Sequence, residues 1–207
     1  FSFLGGAAIY RAKSHVAAGR QVVVMEGVWL FVLAGNFWNI CAAGVFGSLI
    51  NLPIVNYYEH ATYMTGNHAH AAMFGVKGNI ALGGMLFCGQ HLLPKALWNE
   101  KLIKTSFWSL QIGLLMMMTM DLFPIGMYQL MIVFQEGLWY ARSQEILTGP
   151  VWRFFTYARS IGGTLFIVGG VFPLIWLFVS RAGSLRKETP ELEQEGEWTV
   201  YEKDWAA

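Results

Sequence analysis

Charge is what this sequence has least of. Only 13% of its 207 residues are Asp, Glu, Lys or Arg, where a water-soluble domain carries nearer a quarter. That deficit points to a chain that lives in a membrane. A net charge of +1 removes any electrostatic case for a nucleic-acid partner. Cysteine is scarce too: Cys41 and Cys88 lie far apart inside apolar stretches. They read as small core residues rather than as a disulfide or a metal pair. The sequence opens Phe1-Ser2-Phe3-Leu4, with neither a Met nor a basic leader. No secretory signal is read there, and further residues are expected upstream.

What is abundant is apolar and aromatic. The chain is 55% hydrophobic, with nine Trp, eight Tyr and fifteen Phe, which suits interfacial belts and packing around a large flat ligand. Crossing a bilayer takes about 20 helical residues, and four stretches qualify: about Val22 to Ile50, Asn67 to Leu92, Ser106 to Phe134 and Tyr157 to Ser180. Phe1 to Tyr10 reads as the end of a fifth, cut short. The expected architecture is an all-α polytopic transmembrane bundle over residues 1–180, followed by a polar tail over 181–207 that contains five Glu between Glu188 and Glu197.

Basic residues orient the bundle, because cytoplasmic loops collect Lys and Arg. Arg11, Lys13 and Arg20 precede the first full span, Lys95, Lys101 and Lys104 follow the second, and Arg181, Arg186 and Lys187 open the tail. The loop Asn51 to Gly66 has no Lys or Arg. The tail is therefore expected in the cytoplasm, and the Asn51–Gly66 loop outside. Polar groups within spans need a reason, since each costs a few kcal/mol in hydrocarbon. They include His68, His70, Lys77, Asp121 and Gln129. Asp121 and Lys77 read as an internal pair or a snorkelling end, with a proton path as the alternative. Pro124 and Pro173 are expected to kink their helices.

The stretch Asn67-His68-Ala69-His70-Ala71-Ala72 opens a predicted span. Residues i and i+2 of an α-helix point about 200° apart, so the two imidazoles leave opposite sides. From a straight helix they cannot share one metal ion, but each can hold its own, and neutral imidazole is a standard haem ligand. Spacing alone leaves open that they are hydrogen-bonded interior histidines. Gly66, Ala69, Ala71, Ala72, Gly75 and Gly78 would admit a macrocycle to the backbone, although small residues also serve helix packing. Glu59 and His60 lie in the outer loop, where a haem carboxylate or a bound cation would attract them; a solvated loop histidine explains His60 equally.

Two segments carry a family resemblance: Asn51-Leu52-Pro53-Ile54-Val55-Asn56-Tyr57-Tyr58-Glu59-His60, and Thr65-Gly66-Asn67-His68-Ala69-His70-Ala71-Ala72-Met73-Phe74-Gly75-Val76. With Ser106-Phe107-Trp108, Gln111-Ile112-Gly113, Leu122-Phe123-Pro124 and Tyr140-Ala141-Arg142-Ser143, they resemble nitric oxide reductases, especially the quinol-dependent kind, from Phe1 to about Leu177. The resemblance implies a haem–copper oxidase relative with iron in place of copper, in the inner membrane of a prokaryote. It implies that His68 is the proximal ligand of high-spin haem b3 and His70 an axial ligand of low-spin haem b. His60, with Glu59, would lie near the haem propionates or a cation such as calcium. The non-haem iron ligands would come from an upstream region or a second chain, so this chain would be inactive alone. The other implied partners are membrane lipid, nitric oxide as substrate and a quinol, with a homodimer left open.

Two positions depart from that family. Gly5 stands where relatives have a glutamate near the non-haem iron, and Gly163 where quinol-using relatives have an aspartate. Glycine can neither ligate iron nor relay a proton, and a quinol hydroxyl left without its acceptor costs about 1–3 kcal/mol. Both changes resemble those of nitric oxide dismutases, which turn two NO into N2 and O2 and need no net electrons or protons. The leading expectation is dismutation, and the alternative is ordinary reduction of NO to N2O by a quinol. Two other classes compete: a haem-free structural subunit, which leaves the opposed histidines without a purpose, and a transporter, for which no internal repeat is visible.

Overall fold

The computed structural model describes residues 26–93 and 98–181. Gly5, the segment Phe1 to Tyr10 and nearly all of the tail lie outside the described residues. Helices account for almost every described residue, and no strand occurs among them. Among the described residues four helices are long and apolar enough to cross a membrane: α1 (Glu26–Ile50), α3 (Tyr63–Gln90), α4 (Glu100–Glu136) and α6 (Pro150–Val179). Two short helices join them outside the spans, α2 (Pro53–Glu59) and α5 (Gln144–Leu147).

Local capping explains where the spans begin. The Thr62 side chain accepts from the Met64 N–H at 3.3 Å, so α3 starts before Asn67 and places the histidines beyond its first turn. The Asn99 side chain accepts from the Leu102 N–H at 3.1 Å, starting α4 a turn and a half before Ser106. Pro150 opens α6, where its fixed φ suits the first helical position. The α2 helix, also opened by a proline, occupies what sequence alone reads as loop. At the other end of the bundle, Lys104 and Glu26 pair at 2.7 Å. Both are part-exposed, so the pair contributes little stability.

The central helix is α4, the most deeply buried of the four spans. It packs on α1, α3 and α6. Phe31, Ala71, Ile103, Phe107, Leu110, Leu114, Leu122, Leu174 and Leu177 form much of the core between them. Large side chains such as Phe37, Ile40, Trp108, Phe172 and Trp176 face outward, as they would towards lipid. Cys41 and Cys88 are exposed free thiols. This corrects their reading as core residues: an apolar stretch inside a span does not distinguish core from lipid face.

Each span contains a π-helical segment: Asn39–Val45, Ala71–Gly78, Met118–Leu122 and Leu165–Val171. Two of them explain how the prolines are accommodated. Pro124 and Pro173 each stand two residues beyond the last residue of a π segment, so the widened turn falls where the proline ring would meet the carbonyl four residues back. Side chains bind carbonyls in these wide turns. The Asn79 amide donates to Gly75 O at 2.7 Å, and the Ser106 hydroxyl donates to Gly170 O. The Asn79 carbonyl accepts from Gln111 at 2.8 Å, and Gln111 in turn accepts from the Trp38 indole at 2.8 Å. A polar chain thus ties α1, α3 and α4 together inside the membrane. Gln129 is likewise structural, accepting from Tyr63 N at 2.9 Å and donating to Ala141 O at 3.1 Å.

Candidate functional site

The two histidines of α3 face different neighbours. The His68 ring lies against Gly47 of α1: a Cβ built on that glycine would sit 2.5 Å from Cε1 and 3.1 Å from Nδ1. Only a glycine leaves room for the imidazole there. His68 Nδ1 is buried and has no hydrogen-bond partner, which is costly for a polar atom unless something else engages the ring. We expect Gly47→Ala to push His68 out of place. Ligand binding on that side should then be lost while the rest of the bundle stays folded, which optical spectra of the purified protein, compared with its thermal midpoint, would reveal.

His70 turns the other way. Its Nδ1 lies 2.9 Å from Gly66 O, four residues back, which assigns the proton to Nδ1 and leaves Nε2 as the free acceptor. The side chain lines a cleft of about 470 Å³ together with Phe74, Met117, Thr156, Arg159, Gly163 and Phe166. This volume lies in the range of small-molecule and cofactor sites. The cleft separates α3 from α6 over α4, and Phe74 and Phe166 meet across it with ring centroids 5.6 Å apart. Two π segments line it: one begins directly after His70 and contributes Phe74, and one begins directly after Thr164 and contributes Phe166 and Ile167. Such segments frequently mark functional sites.

The glycines of this region have separate jobs. A Cβ on Gly162 would lie 2.8 Å from Gly113 O, and one on Gly113 would lie 2.8 Å from Gly162 O, so these two let α4 and α6 cross backbone to backbone. Gly163 is different: its nearest neighbour would be Met117 Sδ at 3.8 Å. It opens on the His70 cleft, and packing does not require it to be glycine. Gly75 admits the Trp38 ring, whose Cγ would be 2.7 Å from a Cβ; it serves helix packing, the alternative to a macrocycle's approach.

Asp121 is paired, with Arg159 rather than Lys77. Arg159 Nε lies 3.2 Å from Asp121 Oδ2, and the carboxylate is wholly buried, whereas Lys77 is exposed. Arg159 is not among the intramembrane polar residues singled out above, yet an arginine within an apolar span is itself a sequence signal, because it is costly there without a partner. Thr156, whose buried hydroxyl has no partner, carries no sequence signal at all. Glu59 and His60 are adjacent but diverge. Glu59 is 2% exposed and accepts from the Thr65 hydroxyl at 3.0 Å. His60 is exposed, and its carbonyl accepts from Arg142 at 2.9 Å. Among the described residues no three His, Cys, Asp or Glu gather around one point, so the described part of the chain offers a metal no site built from three such side chains.

The family model for cytochrome c and quinol oxidase polypeptide I matches residues 13–165, well over half of the chain and inclusive of both histidines and Gly163. The chain belongs to this family. Comparison with curated proteins returned no match. As a polypeptide I relative with four membrane-spanning helices, it is a multi-pass membrane protein of the haem–copper oxidase type and an oxidoreductase in general terms. Polypeptide I chains usually bind haem. The residues here fit that group at two places: His70, with Nδ1 committed to a carbonyl and Nε2 left over beside a cleft, and His68, with an orphaned ring nitrogen.

Proposed function

We propose that this chain is the C-terminal membrane portion of a nitric oxide-converting enzyme of the nitric oxide reductase type, with dismutation of NO as its reaction. The observation that supports this best is the divergence of His68 and His70, from one helix towards α1 and towards the α6 cleft. That arrangement suits two haems on either side of α3. In this reading His68 holds high-spin haem b3, where NO reacts, and His70 holds low-spin haem b. Haem at His70 would supply electron storage, and haem at His68 would supply the iron at which NO reacts. The non-haem iron and its histidines belong to a part of the enzyme outside this chain. His60 and Glu59 would lie near the propionates, or Glu59 near a calcium ion.

The chain's own residues do the positioning. Gly66 O orients His70, Gly47 makes room for His68, and Phe74, Met117 and Phe166 supply the apolar part of the cleft wall. Gly163 provides no acceptor for a quinol hydroxyl. Dismutation tolerates that, because it balances internally: in 2 NO → N2 + O2 each nitrogen gains two electrons and each oxygen loses two.

The test is to supply the purified complete enzyme anaerobically with isotopically labelled NO and no electron donor, following the gases by mass spectrometry. Labelled N2 and O2 rising together are the expected result. Neither gas without donor, but N2O once a quinol is added, would make this an ordinary quinol-dependent reductase and Gly163 a local substitution.

A further inference from the structure

Asp121, fully buried, and Arg159, half-buried, form an ion pair on the edge of the His70 cleft. The Asp121 side chain is 0% exposed and that of Arg159 33% exposed, and Arg159 lines the cleft whereas Asp121 is not among its lining residues. Neither Asp121 oxygen has a hydrogen-bond partner. Removing a carboxylate from water costs several kcal/mol, and an ion pair recovers this only with good geometry and further donors. Asp121 has no such donors, so stability is a poor account of the pair. Its placement offers another. Arg159 Nε lies 3.2 Å from Asp121 Oδ2, and Arg159 and His70 line the same cleft, so the charges of the pair stand beside whatever His70 holds. In low-dielectric surroundings, with little water to screen them, such charges act strongly over several ångströms.

We propose that Asp121 and Arg159 are positioning residues that set the electrostatic field of the cleft, and thereby the reduction potential of the haem on His70. The inference rests on the assignment of His70 as a haem ligand. Reduction adds an electron, which the Arg159 charge favours and the Asp121 charge opposes. The nearly neutral pair holds the potential at an intermediate value. Loss of either partner alone moves it, in opposite directions, and loss of both restores it.

The experiment is a spectroelectrochemical titration of the low-spin haem in the complete purified enzyme, comparing the unaltered protein with Asp121→Asn, Arg159→Gln and the double variant. Asp121→Asn is expected to shift the reduction equilibrium at least tenfold towards the reduced form, a rise of about 59 mV for one electron. Arg159→Gln is expected to lower the potential by a similar amount, and the double variant to lie near the unaltered protein. Unchanged potentials in both single variants, with haem retained, would overturn the inference and leave the haem assignment standing. Should Asp121→Asn fail to assemble, Arg159→Gln and the double variant decide alone: a lowered potential restored in the double supports the proposal, and equal potentials sink it. An unaltered enzyme without low-spin haem, or a low-spin haem that survives His70→Ala, would remove the assignment itself and the inference with it.

Discussion

Replacing His68 by alanine is expected to abolish the high-spin haem spectrum and leave the low-spin haem almost intact, and His70→Ala to do the reverse. The effect is all-or-none for each haem, because an axial ligand is a single bond with no substitute nearby. His68 is pressed against Gly47 of α1, with Nδ1 buried and unpartnered. His70 is oriented by Gly66 O at 2.9 Å on the side of the α6 cleft. No side chain of one can take over for the other across the helix they share. The measurement is a pair of reduced-minus-oxidised and CO-difference spectra on each variant, since CO adds only to an iron with an open position. Loss of the same haem in both variants would mean that the two rings serve one centre. Retention of both haems in either variant would remove that histidine from the ligand set.

The second large expectation contrasts two neighbouring glycines. Gly162→Ala should destabilise the bundle by about 1–3 kcal/mol, the usual cost of forcing an extra carbon into a packed interface. The atoms in its way are the backbone of α4, Gly113 O at 2.8 Å and Met117 N at 2.9 Å, which cannot turn aside as a side chain could. Gly163→Ala should be neutral or stabilising by up to about 1 kcal/mol, because alanine favours the helix and its Cβ meets nothing closer than Met117 Sδ at 3.8 Å. Thermal unfolding in detergent, with haem retention followed in parallel, distinguishes them. Equal losses from both substitutions would mean that α4 and α6 do not cross at Gly113 and Gly162. A tolerant Gly163 would also show that the glycine facing the cleft is free to vary on packing grounds, so its absence of an acceptor bears on the ligand rather than on the fold.

Most of the fold was legible because hydropathy is a local property. Ile50 as the end of the first span and the positions of the other three can be read from runs of apolar residues, since the bilayer demands about 20 of them in sequence. Span starts were less legible. Thr62, Asn99 and Pro150 are cap signals, yet they lie in stretches whose mean polarity reads as loop, and a helix continues beyond the hydrocarbon wherever its end is capped. The π segments were invisible as such; only Pro124 and Pro173 betrayed a distortion, and its form depended on the neighbours available to bind the freed carbonyls.

By itself, the sequence determined that the chain spans a membrane as helices and that two imidazoles leave opposite sides of one of them. Helix length and the 100° step per residue are properties of the backbone, independent of any partner. Only the tertiary structure decided what each imidazole meets, that Asp121 answers Arg159 rather than Lys77, that Gly162 is required while Gly163 is not, and that Cys41 and Cys88 face outward. Each of these depends on residues from separate spans, and within a membrane both the core face and the lipid face of a helix are apolar. Hydrophobicity therefore cannot say which way a helix is turned. The close approaches at Gly47, Gly75, Gly113 and Gly162, together with the few intramembrane hydrogen bonds and ion pairs, set that rotation.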